Sequence, residues 1–268
     1  MTVRIERQGP VGVVLIDRPD VRNAVDRPTA EALSAAVLEL DRETDLSAIV
    51  LTGTGGTFCA GADLHAFDDP GRRNRLERDL TGPMGPTRSG PRLPTIAAIE
   101  GHAVAGGLEL ALWCDLRIVA ADAVLGVFCR RVGVPLIDGG TVRLPRIVGM
   151  GVALDLILTG REVGAEEAAR LGLATRVVPS GDALSAAVAL GTELASWPSM
   201  TLRSDLAATR AAFDRDLDQA LLHEHDLGVA SLEAGGARAG VRSFTSARRR
   251  SYPAPTEPAD DHEHDDPR

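Results

Sequence analysis

The sequence predicts an α/β fold: a mostly parallel β-sheet with crossover helices, followed by a helical C-terminal part. Three observations predict it. Short runs of β-branched and aliphatic residues alternate with amphipathic helix-length segments in the first half of the chain. Glycine-rich turns separate them. From about residue 152 onward the helical pattern takes over.

Residues 3–7 and 11–17 read as strands joined by the turn Gly9-Pro10, and Arg18-Pro19-Asp20 ends the second. A helix follows from about Pro28, suited to a first helical position, to about Arg42; Ala32, Leu33, Ala36, Val37 and Leu40 form its apolar stripe. Residues 48–52 form a buried strand, followed by the glycine-rich turn 53–57. Residues 68–94, rich in Arg, Pro and Gly, read as a mobile loop with a short helix. Strands are expected at 95–99, 116–120 and 124–127, helices at 106–114 and from about Gly139, then at about 152–159, 165–171, 181–196 and 214–234. Val177-Val178 makes a short strand at most. The tail from Ser251, with Pro253, Pro255, Pro258 and the acidic run 260–266, is expected to be disordered. His262 and His264 within it are more simply solvated than metal-bound.

The 268 residues, 44% hydrophobic and 25% charged, suit a folded globular chain. No run is long and apolar enough for a membrane span, and the first ten residues lack a signal-peptide layout, so a soluble cytoplasmic protein is expected. A net charge of -9 argues against nucleic acid as a partner. All 29 basic residues are arginine, which excludes Schiff-base and lysine-base chemistry. Cys59, Cys114 and Cys129 are scattered, without a CxxC pair, and each reads as a small buried hydrophobe.

Two turns carry the functional signal. Phe58-Cys59-Ala60-Gly61-Ala62-Asp63-Leu64 lies between a strand and an expected helix, with Asp63 placed to cap that helix. Gly101-His102-Ala103-Val104-Ala105-Gly106-Gly107-Leu108-Glu109 repeats the arrangement about forty residues later. Small residues let a ligand approach the backbone, and amides at a helix start have no partner and sit at the positive end of its dipole. Two such amides converging on one point form an oxyanion hole. Either turn alone is more simply a tight turn. A dinucleotide loop is disfavoured because Phe58 stands where its third glycine belongs, and a P-loop needs a lysine.

The order and content of these turns resemble the enoyl-CoA hydratase/isomerase (crotonase) family. The resemblance begins at Arg18-Pro19-Asp20-Val21-Arg22-Asn23-Ala24 and runs through 58–64 and 101–115. It continues in Gly139-Gly140-Thr141-Val142-Arg143-Leu144-Pro145, Leu156-Ile157-Leu158-Thr159-Gly160-Arg161 and 165–178, covering roughly residues 3 to 200. It implies a crotonase-like spiral of ββα repeats over 1–195, a helical trimerisation region over 196–250 and the acidic tail 251–268. It also implies a homotrimer or homohexamer acting on an acyl-CoA thioester, with coenzyme A part of the substrate and no separate cofactor or metal. The amides of Ala62 and Gly106 would polarise the thioester carbonyl. Arg22, Ala24, Ala60, Asp63, Leu64 and His65 would contact substrate or its CoA part; for Arg22 and His65 a solvated surface role competes.

Glu109 lies one helical turn from Gly106 and matches one of two catalytic glutamates of the hydratases, against the plainer reading of a surface glutamate favoured by the dipole. The position of the second falls on Cys129, and a thiol is a weaker acid than a carboxyl. Arg130 and Arg131 beside it would lower a thiol pKa, yet filler remains the simpler reading. Asp138 is a candidate for the missing acid, or an N-cap for the helix starting near Gly139. The expected activity is water addition to a 2-enoyl-CoA. Double-bond isomerisation, thioester hydrolysis or non-catalytic acyl-CoA binding are the alternatives.

Overall fold

The computed structural model describes residues 2–78, 81–235, 237, 238, 240–242, 244 and 245; the acidic tail with His262 and His264 lies outside them. In chain order the elements are β1 (Val3–Gln8), β2 (Val11–Ile16), α1 (Arg27–Arg42), β3 (Ala48–Gly53), β4 (Thr95–Ile99), β5 (His102–Val104) and α2 (Gly106–Trp113). There follow β6 (Leu116–Ala120), β7 (Val124–Gly126), α3 (Gly140–Val148), α4 (Met150–Thr159), β8 (Glu162–Gly164), α5 (Ala165–Arg170), β9 (Arg176–Val178), α6 (Ala183–Leu194), α7 (Ser199–Ala211) and α8 (Leu217–Glu233).

The main sheet runs β1-β2-β3-β4-β6-β9. It is parallel from β2 onward, and the hairpin partner β1 is antiparallel. Its strands read as continuous apolar runs because both faces are covered. Val14, Ile16, Ile49, Leu51, Ala97 and Ile99 pack on the side of α1, against Leu33, Val37 and Leu40. Their sequence neighbours Val13, Leu15, Val50 and Ala98 face Ala183, Ala187 and Leu190 of α6. The period of two in the strands thus divides one apolar run between two cores. Helix α1 starts one residue before the predicted Pro28, with Asp26 as N-cap accepting the Thr29 amide at 3.2 Å.

A small second sheet, β5-β7-β8, lies beyond the corners that end β4 and β6. Two successive units therefore read strand, strand, helix: β4-β5-α2 and β6-β7-α3. This is consistent with a ββα spiral. Strand β5 was expected to be turn, because a strand of three residues gives no period to read. Strand β8 and helix α7 were also not anticipated; α7 has no buried residue.

Residues 68–94 differ from the expected mobile loop. Among their described residues the one helical element is a 3-10 turn, Pro86–Arg88, and residues 82–87 are buried, Met84 and Thr87 almost completely. The chain divides into a unit Met1–Ser199, which holds everything discussed below as a site, and a unit Met200–Arg268. In the second unit α8 is capped by Asp216, which accepts the Gln219 amide at 2.9 Å, and Leu217, Leu221, Leu222 and Leu232 are exposed.

Candidate active site

Strands β2, β3 and β4 run parallel, so the segments leaving their C-terminal ends share one edge of the sheet. These are 17–26, 54–63 and 100–106. Asn23, wholly buried, ties the first two: its amide donates to the carbonyls of Thr54 (2.8 Å) and Thr57 (2.6 Å), and its oxygen accepts the Arg18 amide at 2.9 Å. The second and third are joined by backbone. Phe58 N–H donates to Glu100, Cys59 N–H to His102, and Val104 N–H back to Cys59.

Glycine is required where these turns touch. A Cβ on Gly61, whose φ is +102°, would lie 3.0 Å from the Gly106 nitrogen and 3.0 Å from Ala105 Cβ. One on Gly107 would meet the Cys59 carbonyl oxygen at 2.1 Å. The two turns are therefore in direct contact at the residues flanking Ala62 and Gly106. Ala105 adopts φ 53° and ψ -125°, a region costly for any residue with a Cβ. That conformation opens α2, whose first amide belongs to Gly106. Among the described residues no hydrogen bond takes the amide of Ala62 or of Gly106. Both residues line one cavity of about 550 Å³.

Glu109 and Asp138 line the same cavity, and both are nearly inaccessible to solvent. The surface reading of Glu109 is thereby excluded. Its Oε1 accepts the amides of Asp138 (2.9 Å) and Gly140 (2.8 Å), so Glu109 caps the start of α3. The N-cap reading of Asp138 is corrected by this: the Asp138 side chain makes no cap bond to α3. Its Oδ1 instead accepts the Met84 amide at 2.9 Å and the Thr87 hydroxyl. Burial raises the Glu109 carboxyl to about 7; the Gly140 and Asp138 amides oppose the rise and the Asp138 charge adds to it. Burial also raises Asp138, against the hydrogen bonds from Thr87 and Met84 and the charges of Arg88 and Arg143.

All three cysteines are buried, as expected of small hydrophobes. Cys129 does line the cavity. Burial and the nearby Glu109 charge push its thiol up, outweighing Arg130, so the activated-thiolate reading does not hold. Arg131 is instead stacked on Phe128, 3.6 Å from the ring centre.

The remaining expected contact residues separate. Arg22, Ala60, Asp63 and Leu64 line the cavity, whereas Ala24 is buried outside it and His65 is exposed outside it. Asp63 caps only a 3-10 turn, Leu64–Ala66, rather than a full helix. Its carboxylate also pairs with Arg18 (2.8 Å) and Arg72 (3.2 Å), which further bind Asp26. Asp63 therefore holds the loop, and its amide and carbonyl are engaged as well, by Val25 and Ala66. Arg18, Asn23, Arg72, Met84 and Thr87 were not singled out as site-forming. Asn23 stood inside a quoted motif, but nothing local distinguishes Met84 or Thr87.

A family model described as enoyl-CoA hydratase/isomerase matches residues 6–253. A probable enoyl-CoA hydratase of Mycobacterium bovis is 36% identical over 247 residues, 92% of this chain and 96% of its own. A short-chain-enoyl-CoA hydratase of Clostridium acetobutylicum is 33% identical over 230 residues, 84% of this chain and 87% of its own. The crystal structure of an enoyl-CoA hydratase of Mycobacterium marinum superposes with a TM-score of 0.87 at 32% identity, covering 92% of this chain and 96% of that one.

Proposed function

The chain belongs to the enoyl-CoA hydratase/isomerase family, and from that premise we propose that it adds water to a 2-enoyl-CoA thioester. One observation carries the reading: two unpartnered amides, Ala62 and Gly106, share a cavity with a buried carboxyl, Glu109, raised to about 7. The thioester oxygen sits between the two amides. As water attacks C3, electron density moves through C2 onto that oxygen, and the amides stabilise the enolate more than the neutral carbonyl. Each such donor contributes about 2.7–4 kcal/mol to the transition state.

Glu109 in its ionised form takes the proton of the attacking water. Its Oε1 is occupied by the Asp138 and Gly140 amides, so Oε2 is the oxygen left for the reaction. The enolate is quenched at C2 by a proton from the Asp138 carboxyl, whose raised proton affinity suits an acid. The net change is addition of one water, and the proton held by Glu109 returns to Asp138 through solvent. Coenzyme A arrives as part of the substrate, and no further cofactor or metal enters the scheme. Arg22, exposed at the cavity mouth, serves the phosphates of the CoA part. The working form is a cytoplasmic homotrimer or homohexamer, supported by the exposed leucines of α8 and measurable by light scattering.

Hydration of crotonyl-CoA by the wild-type chain and by Glu109→Gln tests the proposal. The expected result is turnover by the former and a loss of about 10²–10⁴-fold in the latter. Tight binding of CoA esters without turnover of any of them would overturn it in favour of a binding protein. Hydration that persists in Glu109→Gln would remove Glu109 from the mechanism.

A further inference from the structure

The acid–base pair is held by a side chain to which the mechanism above gives no part. Arg143, half-buried on the first turn of α3, extends back over Gly139. Its Nη1 donates to the Asp138 carbonyl at 2.9 Å and its Nη2 to the Thr87 carbonyl. The Thr87 hydroxyl in turn donates to the Asp138 carboxylate, which closes a ring of three residues from two segments distant in sequence. The backbone is cleared for this ring. A Cβ on Gly139 would lie 2.2 Å from Arg143 Nη1, and one on Gly82 would lie 1.8 Å from Thr87 Oγ1 and 2.5 Å from Asp138 Oδ1.

We infer that Arg143 is a positioning residue for the catalytic pair, clamping residues 82–88 to the start of α3 so that Asp138 and Glu109 face one substrate, and favouring the ionised Glu109 by its fixed charge. The inference rests on the hydration reading of the site. Both roles follow from the guanidinium: a planar fork can serve two carbonyls at once, and it stays charged when buried. The other groups facing the cluster are few. Glu109 and Cys114 approach from α2 and its end, Arg88 from the buried loop, Cys129 from the turn before Gly133, and Arg146 from α3 itself. Arg88 and Arg143 both favour the ionised Asp138. For Glu109, Arg143 is the cationic neighbour that opposes its rise.

Two substitutions separate charge from geometry. Arg143→Gln removes the charge, so the acid limb of kcat/KM, set by ionisation of Glu109, should move up by about one pH unit. Its kcat should fall at least about tenfold while KM changes less. Arg143→Lys keeps the charge and loses the fork, so kcat should fall with the limb in place. The ionisation of Glu109, followed by carboxyl-labelled NMR in the folded variants, gives the same comparison without turnover. A wild-type chain that hydrates nothing would then sink the hydration reading alone, with the Arg143 inference still decided by the titration. A Glu109 titration unmoved in Arg143→Gln, or failure of both variants to fold, would overturn the inference and leave Arg143 as a structural tie.

Discussion

Replacing Glu109 by glutamine should raise stability as it abolishes chemistry. Glutamine presents an oxygen where Oε1 accepts the Asp138 and Gly140 amides, so the start of α3 stays seated. What disappears is a carboxyl that burial holds at about 7 instead of the ordinary 4.5. One pH unit of displacement corresponds to about 1.4 kcal/mol, so the full effect is about 3 kcal/mol. The sign follows from which form the fold prefers. A carboxyl raised by folding favours its protonated state, so its stabilising contribution is complete below 4.5 and lost as pH rises through about 7. Wild type at pH 8 should therefore be less stable than the variant by up to about 3 kcal/mol, a gap that shrinks to about 1 kcal/mol near pH 5. At roughly 2–4 °C per kcal/mol for a chain of this order, calorimetry should show the variant melting several degrees higher at pH 8. Equal melting temperatures at both pH values would refute the claim that Glu109 is a strained, buried base.

Three further outcomes follow from the same geometry. Asp138→Asn can still accept Met84 and Thr87, but it removes the proton that the enolate takes up at C2; kcat should fall about 10-fold or more. Gly61→Ala places a methyl 3.0 Å from the Gly106 nitrogen at a φ of +102°; turnover should be lost, with a cost of about 1–3 kcal/mol in a denaturant titration. Cys129→Ala should change hydration of crotonyl-CoA by less than about threefold, because a thiol pushed upward by burial and Glu109 moves no proton near neutrality.

What was legible in the sequence was periodic or built from small residues. The strands 48–53 and 95–99 and the helix 27–42 announce themselves through apolar runs or a stripe, and their observed limits differ little from the predicted ones. The turns at 58–64 and 101–109 were legible because only glycine and alanine permit such an approach of two backbones. The fate of polar side chains was not legible. Asp138 stands one residue before a Gly-Gly helix start, where a cap is the local expectation, yet its partners come from residues 84 and 87, more than fifty positions away. Local pattern cannot encode a bond of that span. The same holds for 68–94, where composition signals a loop but not that Met84 would be buried over Gly106. His65 and Ala24 adjoin or belong to the right motifs and still do not line the cavity, because membership of a motif does not fix which side chains face the space it borders.

The contact between the two turns has a consequence for how such a chain can change. In the proposed mechanism the groups offered to the thioester oxygen at positions 62 and 106 are main-chain amides, which almost no point mutation can delete. What a mutation can do is break the fit that aims them, at Gly61 or Gly107, and that damages the whole fold locally rather than tuning it. The carboxyls at 109 and 138 and the thiol beside them at 129 are by contrast ordinary side chains on three separate segments. Carbonyl activation is thus inherited as architecture and reaction type as an interchangeable fitting, which is how a cysteine can occupy position 129 in a chain that keeps the rest of the site.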